Sequence, residues 1–264
     1  MFGLLRDRLT LSILSNKLEV TRVSAIRRRC LQHNRMPLYL NNATPRFDEL
    51  VEWHDRFGTG TQSLDVMVSA AWVKFAVLPW QGAQLSEDET RSYAYAMLSL
   101  RHGDIANSWS LTLSPAMSGR TRVVSAVDSR LMKSLERFGE DCGIRDINLM
   151  PMTVAIFNKL QAKIPDDSLF VVIEPDNLSI ILLRKGEWAH VHNRPLPANW
   201  HVLLPKWVQD FQALKGARNL PVFVAGPTHT RPNFENFPVT WLRLPPQTGF
   251  DPRKDHDLAL SLGF

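Results

Sequence analysis

SLFVVIEPDNLSIILLRKGEWAHVHNRPL, residues 168–196, is the stretch on which the reading of the fold turns. It holds three apolar runs, 169–173, 178–183 and 188–191, each rich in Val, Ile, Leu or Trp and each of strand length. Pro175-Asp176-Asn177 separates the first two runs and Arg184-Lys185-Gly186-Glu187 the next two. Both are turn sequences: Pro presets φ, Asp and Asn bond their own backbone, and Gly accepts positive φ. The stretch therefore predicts a three-stranded antiparallel meander. Its first run is apolar at every position, as in a strand covered on both faces. Its third alternates, with Trp188, His190 and His192 on one side and Ala189 and Val191 on the other, as in an edge strand.

Working outward, residues 1–29 carry the same organisation. Runs 1–5, 9–14 and 18–26 are apolar or alternating, with Arg6-Asp7-Arg8 and Ser15-Asn16-Lys17 as turns. Arg27-Arg28-Arg29 reads as a solvated strand end. Residues 30–43 read as irregular. Thr44-Pro45 is expected to open a helix, with Phe47, Leu50, Val51 and Phe57 on one face, closed by Gly58-Thr59-Gly60. A strand at 64–68 and another at 73–78 follow. Ser86 and Glu89 form a capping box for a helix reaching about residue 101. Strands at 109–113 and 121–127 precede a helix capped by Asp128 or Ser129 and stopped by Cys142-Gly143. A strand at 144–149 leads into a helix opened by Pro151. Beyond the quoted stretch, Asn199 caps a helix, 220–225 is a buried strand running into Gly226-Pro227, 239–244 is a strand, and 255–262 a short helix.

The chain has 264 residues, 44% hydrophobic and 22% charged, which suits a folded α/β protein with a sizeable core. Its apolar runs stay well short of the roughly 20 residues that cross a bilayer. Arg6, Asp7 and Arg8 interrupt the apolar N-terminus, so it reads as mature structure and not as a signal peptide. Cys30 and Cys142 read as buried thiols of a reducing compartment. A net charge of +5 points to an acidic partner or a nearby anionic lipid surface. Neither a P-loop nor a nucleophile elbow occurs, and Gly58-Thr59-Gly60 stands before a strand, the wrong context for dinucleotide binding. His190 and His192 lack a third ligand and read as exposed strand histidines; Glu174 and Asp176 read as turn carboxylates ahead of a metal-holding pair. The eight tryptophans are scattered through apolar patterns and the basic residues are dispersed, which argues for core and against a nucleic-acid platform.

Two meander-then-helix halves flanking a middle block resemble the actin-like, ribonuclease-H-like α/β fold. The stretches VKFAVLPW (73–80), RVVSAVDSRLMKSLERFGEDCGI (122–144), PMTVAIFNKL (151–160) and the terminal LALSLGF resemble the PilM family of type IV pilus assembly, the cytoplasmic domain of GspL in type II secretion, and MshI-type pilus proteins. The resemblance implies a first lobe at 1–71, an inserted subdomain at 72–150 and a second lobe at 151–264. It implies a non-catalytic cytoplasmic scaffold associated with the bacterial inner membrane through a partner. Its partners would be the cytoplasmic tail of a PilN-like single-span protein and, second, an assembly ATPase. In that family the tail docks between first lobe and insertion, which carries over to Phe47, Val51, Val73, Phe75 and Trp80. Actin-like ATPases hold phosphate on two hairpin turns through close backbone amides. Here those turns would be Arg6-Asp7-Arg8, without Gly, and Glu174-Pro175-Asp176-Asn177, where Pro175 lacks an amide and Asp176 adds a carboxylate. The adenosine loop keeps only Gly226. No cofactor and no enzymatic activity are expected; the alternative is an ATP-binding ATPase or kinase with atypical phosphate loops.

Overall fold

The computed structural model describes residues 7–24, 30–83, 85–115, 117–226, 232, 234 and 237–244. The chain begins with β1 (Arg8–Ile13), β2 (Lys17–Val23) and β3 (Cys30–Pro37), then a small ribbon, β4 (Tyr39–Asn41) and β5 (Thr44–Arg46). Helix α1 (Asp48–Trp53) widens into a π-helical turn at His54–Gly58 and leads to β6 (Ser63–Val68). The middle is β7 (Val73–Leu78), α2 (Glu87–His102), β8 (Trp109–Leu113), β9 (Arg122–Asp128), α3 (Ser129–Cys142) and β10 (Asp146–Pro151). Helix α4 (Met152–Leu160) precedes β11 (Ser168–Ile173), β12 (Asn177–Arg184) and β13 (Glu187–Pro195), then α5 (Trp200–Leu214), β14 (Val222–Ala225) and β15 (Thr240–Leu242).

Two five-stranded sheets have one topology. The first runs β10-β6-β1-β2-β3 and the second β15-β14-β11-β12-β13. In each, an antiparallel meander supplies the first strand, and two later strands add parallel to it. The quoted stretch folds as expected, with Lys185 (φ 53) and Gly186 (φ 76) making the two-residue turn between β12 and β13. β11 is buried at all six positions. Phe170 and Val172 face a core shared with the first sheet and α4, while Leu169, Val171 and Ile173 face α5.

The first meander lies one strand later than 1–26. Its hairpin turn is at Leu14-Ser15-Asn16, and its third strand, β3, occupies part of the segment expected to be irregular. Arg6 and the run 1–5 lie outside the described residues, as do Arg27-Arg28-Arg29 and the helix expected at 255–262. Asp7, expected in a turn, precedes β1 and pairs with Arg22 at 2.8 Å. Thr44-Pro45 does not open a helix. Asn42 (φ 48) and Ala43 (φ 62) reverse the chain in the left-handed region, so Thr44 pairs with Asn41 and the helix starts only at Asp48.

The inserted part is a three-stranded sheet, β7-β9-β8, covered by α2 over its own small core of Ala76, Leu78, Ala94, Leu98 and Val124. Ser86 caps α2 in the expected capping box, Asp128 caps α3, and Gly143 ends α3 in the left-handed conformation. β10 pairs with β6, so the 146–150 part of the expected 72–150 block belongs to the first sheet. The insertion leans on the second lobe. Phe75 and Phe157 flank Trp188 with ring centroids 5.9 and 5.3 Å away, and Thr121 donates from its amide to Glu187 at 2.9 Å.

Candidate functional site at the floor of the interlobe cleft

The two lobes meet where the β1–β2 turn faces the β11–β12 turn. The strand repeat puts them there: in both sheets the meander's first hairpin ends at the same edge of the same topological position. Asp176 Oδ2 accepts the backbone N–H of Ser15 from the opposite lobe. Asp176 Oδ1 accepts from the Ser69 hydroxyl at 2.8 Å. Glu174 is fully buried and receives Ser69 Oγ at 2.7 Å, the Ala70 amide at 2.8 Å and Thr153 Oγ1 at 2.9 Å. Thr153 lies 2.9 Å from Ser179. The segment 69–72 is fixed in turn: Ser69 N–H bonds Ile13 O at 2.9 Å, and Trp72 Nε1–H bonds Leu14 O at 2.9 Å.

This network has a defined electrostatic character. Ser69 has one hydroxyl proton and two carboxylates to serve, so it can donate fully to only one. Burial pushes the Glu174 carboxyl up to about 7, against the pull of its hydrogen bonds from Ser69, Ala70 and Thr153, and the charge of Asp176 adds to the rise. A protonated Glu174 relieves the conflict between two carboxylates that share a donor. Chemically the floor is an anion site already filled. The carboxylate of one lobe takes the amide that the other lobe's turn presents.

Of the expected loop positions Glu174, Asp176 and Gly226, the first two are drawn into one cluster through Ser69. Gly226 packs closely on the end of β11: a Cβ there would lie 3.0 Å from Ile173 Cβ, and Ile173 would have to shift by a few tenths of an ångström to admit it. The partner turn expected at Arg6-Asp7-Arg8 is instead Leu14-Ser15-Asn16. Ser15, Ser69 and Thr153 were missed. In the sequence Ser15 reads as part of the meander's second turn, and Ser69 and Thr153 are single hydroxyl residues whose proximity is set only by lobe packing. Among the described residues no cluster of three metal-ligating side chains occurs.

Of the five residues expected to meet a tail, Phe47 (6% exposed), Val73 (0%) and Phe75 (6%) are core residues and have no side-chain surface to offer. Phe47 packs edge-on to Phe138 at 6.1 Å, and Phe75 faces Trp188. Val51 and Trp80 are half-buried. Trp80 lines a recess with Leu78, Tyr93, Met117 and Arg122. A wider groove of about 260 Å³ shares Met117 and Arg120 with that recess and continues to Phe157 and Trp188.

The sequence matches no family model and no curated protein. Solved structures do match. One is a PilM-PilN type IV pilus biogenesis complex, with a TM-score of 0.60, 14% identity, and coverage of 84% of this chain and 81% of that one. The chain has an actin-like fold. A protein of Bacteroides thetaiotaomicron with the actin-like ATPase fold and unknown function is similar at a TM-score of 0.59, 8% identity, and 86% and 85% coverage. The cytoplasmic domain of EpsL, an inner-membrane component of the type II secretion system of Vibrio cholerae, is similar at 0.57, 14% identity, and 90% and 89% coverage. No helix among the described residues is long and apolar enough to cross a membrane.

Proposed function

We propose that the chain is a non-catalytic actin-like scaffold on the cytoplasmic face of a bacterial inner membrane, in a pilus or secretion-type assembly. It would hold the cytoplasmic tail of a PilN-like single-span membrane protein, with an assembly ATPase as a second partner. The observation that carries the non-catalytic part is the Asp176 carboxylate bonded to the Ser15 amide at the cleft floor. A phosphate placed there would meet Asp176 and would have no Pro175 amide to bind. At about 4 Å and an effective dielectric near 20, each pair of like charges costs about 4 kcal/mol, as much as a good phosphate contact supplies. The ATP-using alternative keeps one matching loop residue, Gly226, which sits in close contact with Ile173. The likeness in fold to the PilM and EpsL structures supports the choice of machine.

The tail's seat in this reading is the recess at Trp80 and the groove it joins at Met117 and Arg120, which lies between the insertion and the second lobe and not, as expected, between the first lobe and the insertion; Val51 lines neither. Apolar pockets beside strand ends suit an extended segment. The test is a pull-down with the isolated cytoplasmic tail of a PilN-like single-span membrane protein. Wild type should retain it, and Trp80→Ala and Met117→Glu, both at residues that line the groove, should each weaken retention about tenfold, the loss expected at an interface hot spot. Folded variants that bind as well as wild type would remove this groove from the account, and no binding by wild type would remove the partner.

A further inference from the structure

A second surface, away from the cleft floor, gathers positive charge from three parts of the chain. On β13, His190, His192 and Arg194 alternate onto one face, opposite Leu182, Ile180 and Leu178 of β12. Helix α5 lies on that same face: the Arg194 guanidinium stacks 3.6 Å over the Trp207 ring, and His192 lies 6.4 Å from Phe211. The helix ends there with Leu214 and Lys215. From the other side β7 packs along β13, with the Asn193 amide reaching Val73 O at 3.4 Å, which brings in Lys74 and the end of α2, Arg101 and His102. The charges of Arg101 and Lys215 both bear on His190 and His192, that of Arg194 on His192, and those of Lys74 and Arg101 on His102. Asp210 is the acid that acts on this group, through Arg194. Beside the cations in sequence stand two leucines left almost fully in water, Leu100 at 83% and Leu214 at 80% exposure.

We propose that this face, built from β13, the end of α5, β7 and the end of α2, is a seat for the anionic headgroups of a membrane surface. Cations interspersed with lone exposed leucines are the pattern of an interfacial contact, in which headgroups neutralise the charge and the leucines enter the acyl boundary. An acidic peptide fits less well. β7 packs beside β13, the end strand of its sheet, and crowds the edge to which a peptide strand would add. A nucleic acid fits less well again, since the aromatic rings here, Trp207 and Phe211, are engaged by Arg194 and His192. The contact is separate from the tail groove, so either can fail alone.

Burial and the neighbouring cations hold His102, His190 and His192 below the ordinary imidazole value. Each is therefore neutral at neutral pH and gains charge on acidification, His102 facing Lys74 and Arg101, His190 facing Arg101 and Lys215, and His192 facing these two and Arg194, with Asp210 as counter-charge to Arg194. An anionic surface favours the charged form, so binding should strengthen as pH falls. The experiment is co-sedimentation of the whole protein with vesicles that are roughly one quarter phosphatidylglycerol in phosphatidylcholine, against pure phosphatidylcholine. Binding is expected only to the anionic vesicles, stronger at pH about 5.5 than at about 8. It should fall about tenfold or more in the double variant Arg101→Glu, Lys215→Glu, and fall with the charges intact in Leu100→Ser, Leu214→Ser. All four positions are exposed, and circular dichroism checks that the variants fold. Equal binding to both vesicle types, double variants that bind like wild type, or retention by single-stranded DNA or polyglutamate with none by anionic vesicles would overturn the proposal.

Discussion

Glu174 concentrates the account into one residue. Its carboxyl is fully buried and pushed up to about 7, from an ordinary 4.5 in the unfolded chain. The folded state therefore holds a proton that the unfolded state has released between those values. The stability this gives is fully present below about 4.5 and is lost as pH rises through about 7, at up to about 1.4 kcal/mol per pH unit. Glu174→Gln keeps the shape and the acceptor for Ala70 while removing the titration. Melting temperature against pH should fall between pH 5 and 8 in wild type and be flatter in the variant, which should be the more stable at pH 8. Identical pH profiles would mean that Glu174 does not titrate in this range. The carboxylates themselves were legible in the sequence because Pro-Asp-Asn marks a turn between two apolar runs. Their partners were not: Ser15, Ser69 and Thr153 come from β1–β2, the end of β6 and the start of α4, and no local pattern joins them.

Trp188, on β13, ties the inserted sheet to the second lobe. It is 5% exposed, with Phe75 of β7 on one side and Phe157 of α4 on the other. Trp188→Ala should cost about 3–5 kcal/mol, the range for deleting a large buried aromatic. It should also loosen the turn between β8 and β9, whose Thr121 bonds Trp188 O and Glu187. Urea unfolding reads the first effect and limited proteolysis within 114–121 the second. A variant with the wild-type urea midpoint would show that these rings contribute little to the docking. Elements with strong end signals were read correctly: the Ser86 capping box, the Asp128 cap, Gly143, and the Lys185-Gly186 turn all stand where the sequence puts them. The failures came where a local signal has two meanings. Thr44-Pro45 suits a helix start, but Asn42 and Ala43 turn the chain first. The charged triplet Arg6-Asp7-Arg8 suits a turn, and reading it so moved the whole first meander by one strand.

At the scale of the molecule, the repeated strand order was visible because both halves carry meanders and later buried strands. The β10 assignment was not, since a strand's sheet is chosen by its neighbours and β10 finds β6 across the insertion. The two lobes share one continuous core, with Leu11 and Ile13 of the first sheet and Phe170 and Val172 of the second joined through Met152, Ile156 and Leu160 of α4. With hydrogen bonds across the floor as well, the lobes are held together at the β1–β2 and β11–β12 turns, and the proposed non-catalytic role rests on that closed floor. The measurement that bears most directly on this claim is a calorimetric titration of the protein with ATP in the presence and absence of Mg²⁺. The account expects no saturable heat up to about millimolar ATP, equivalent to a binding free energy weaker than about −4 kcal/mol. Saturable, Mg²⁺-dependent binding in the micromolar range, about −8 kcal/mol, would contradict it.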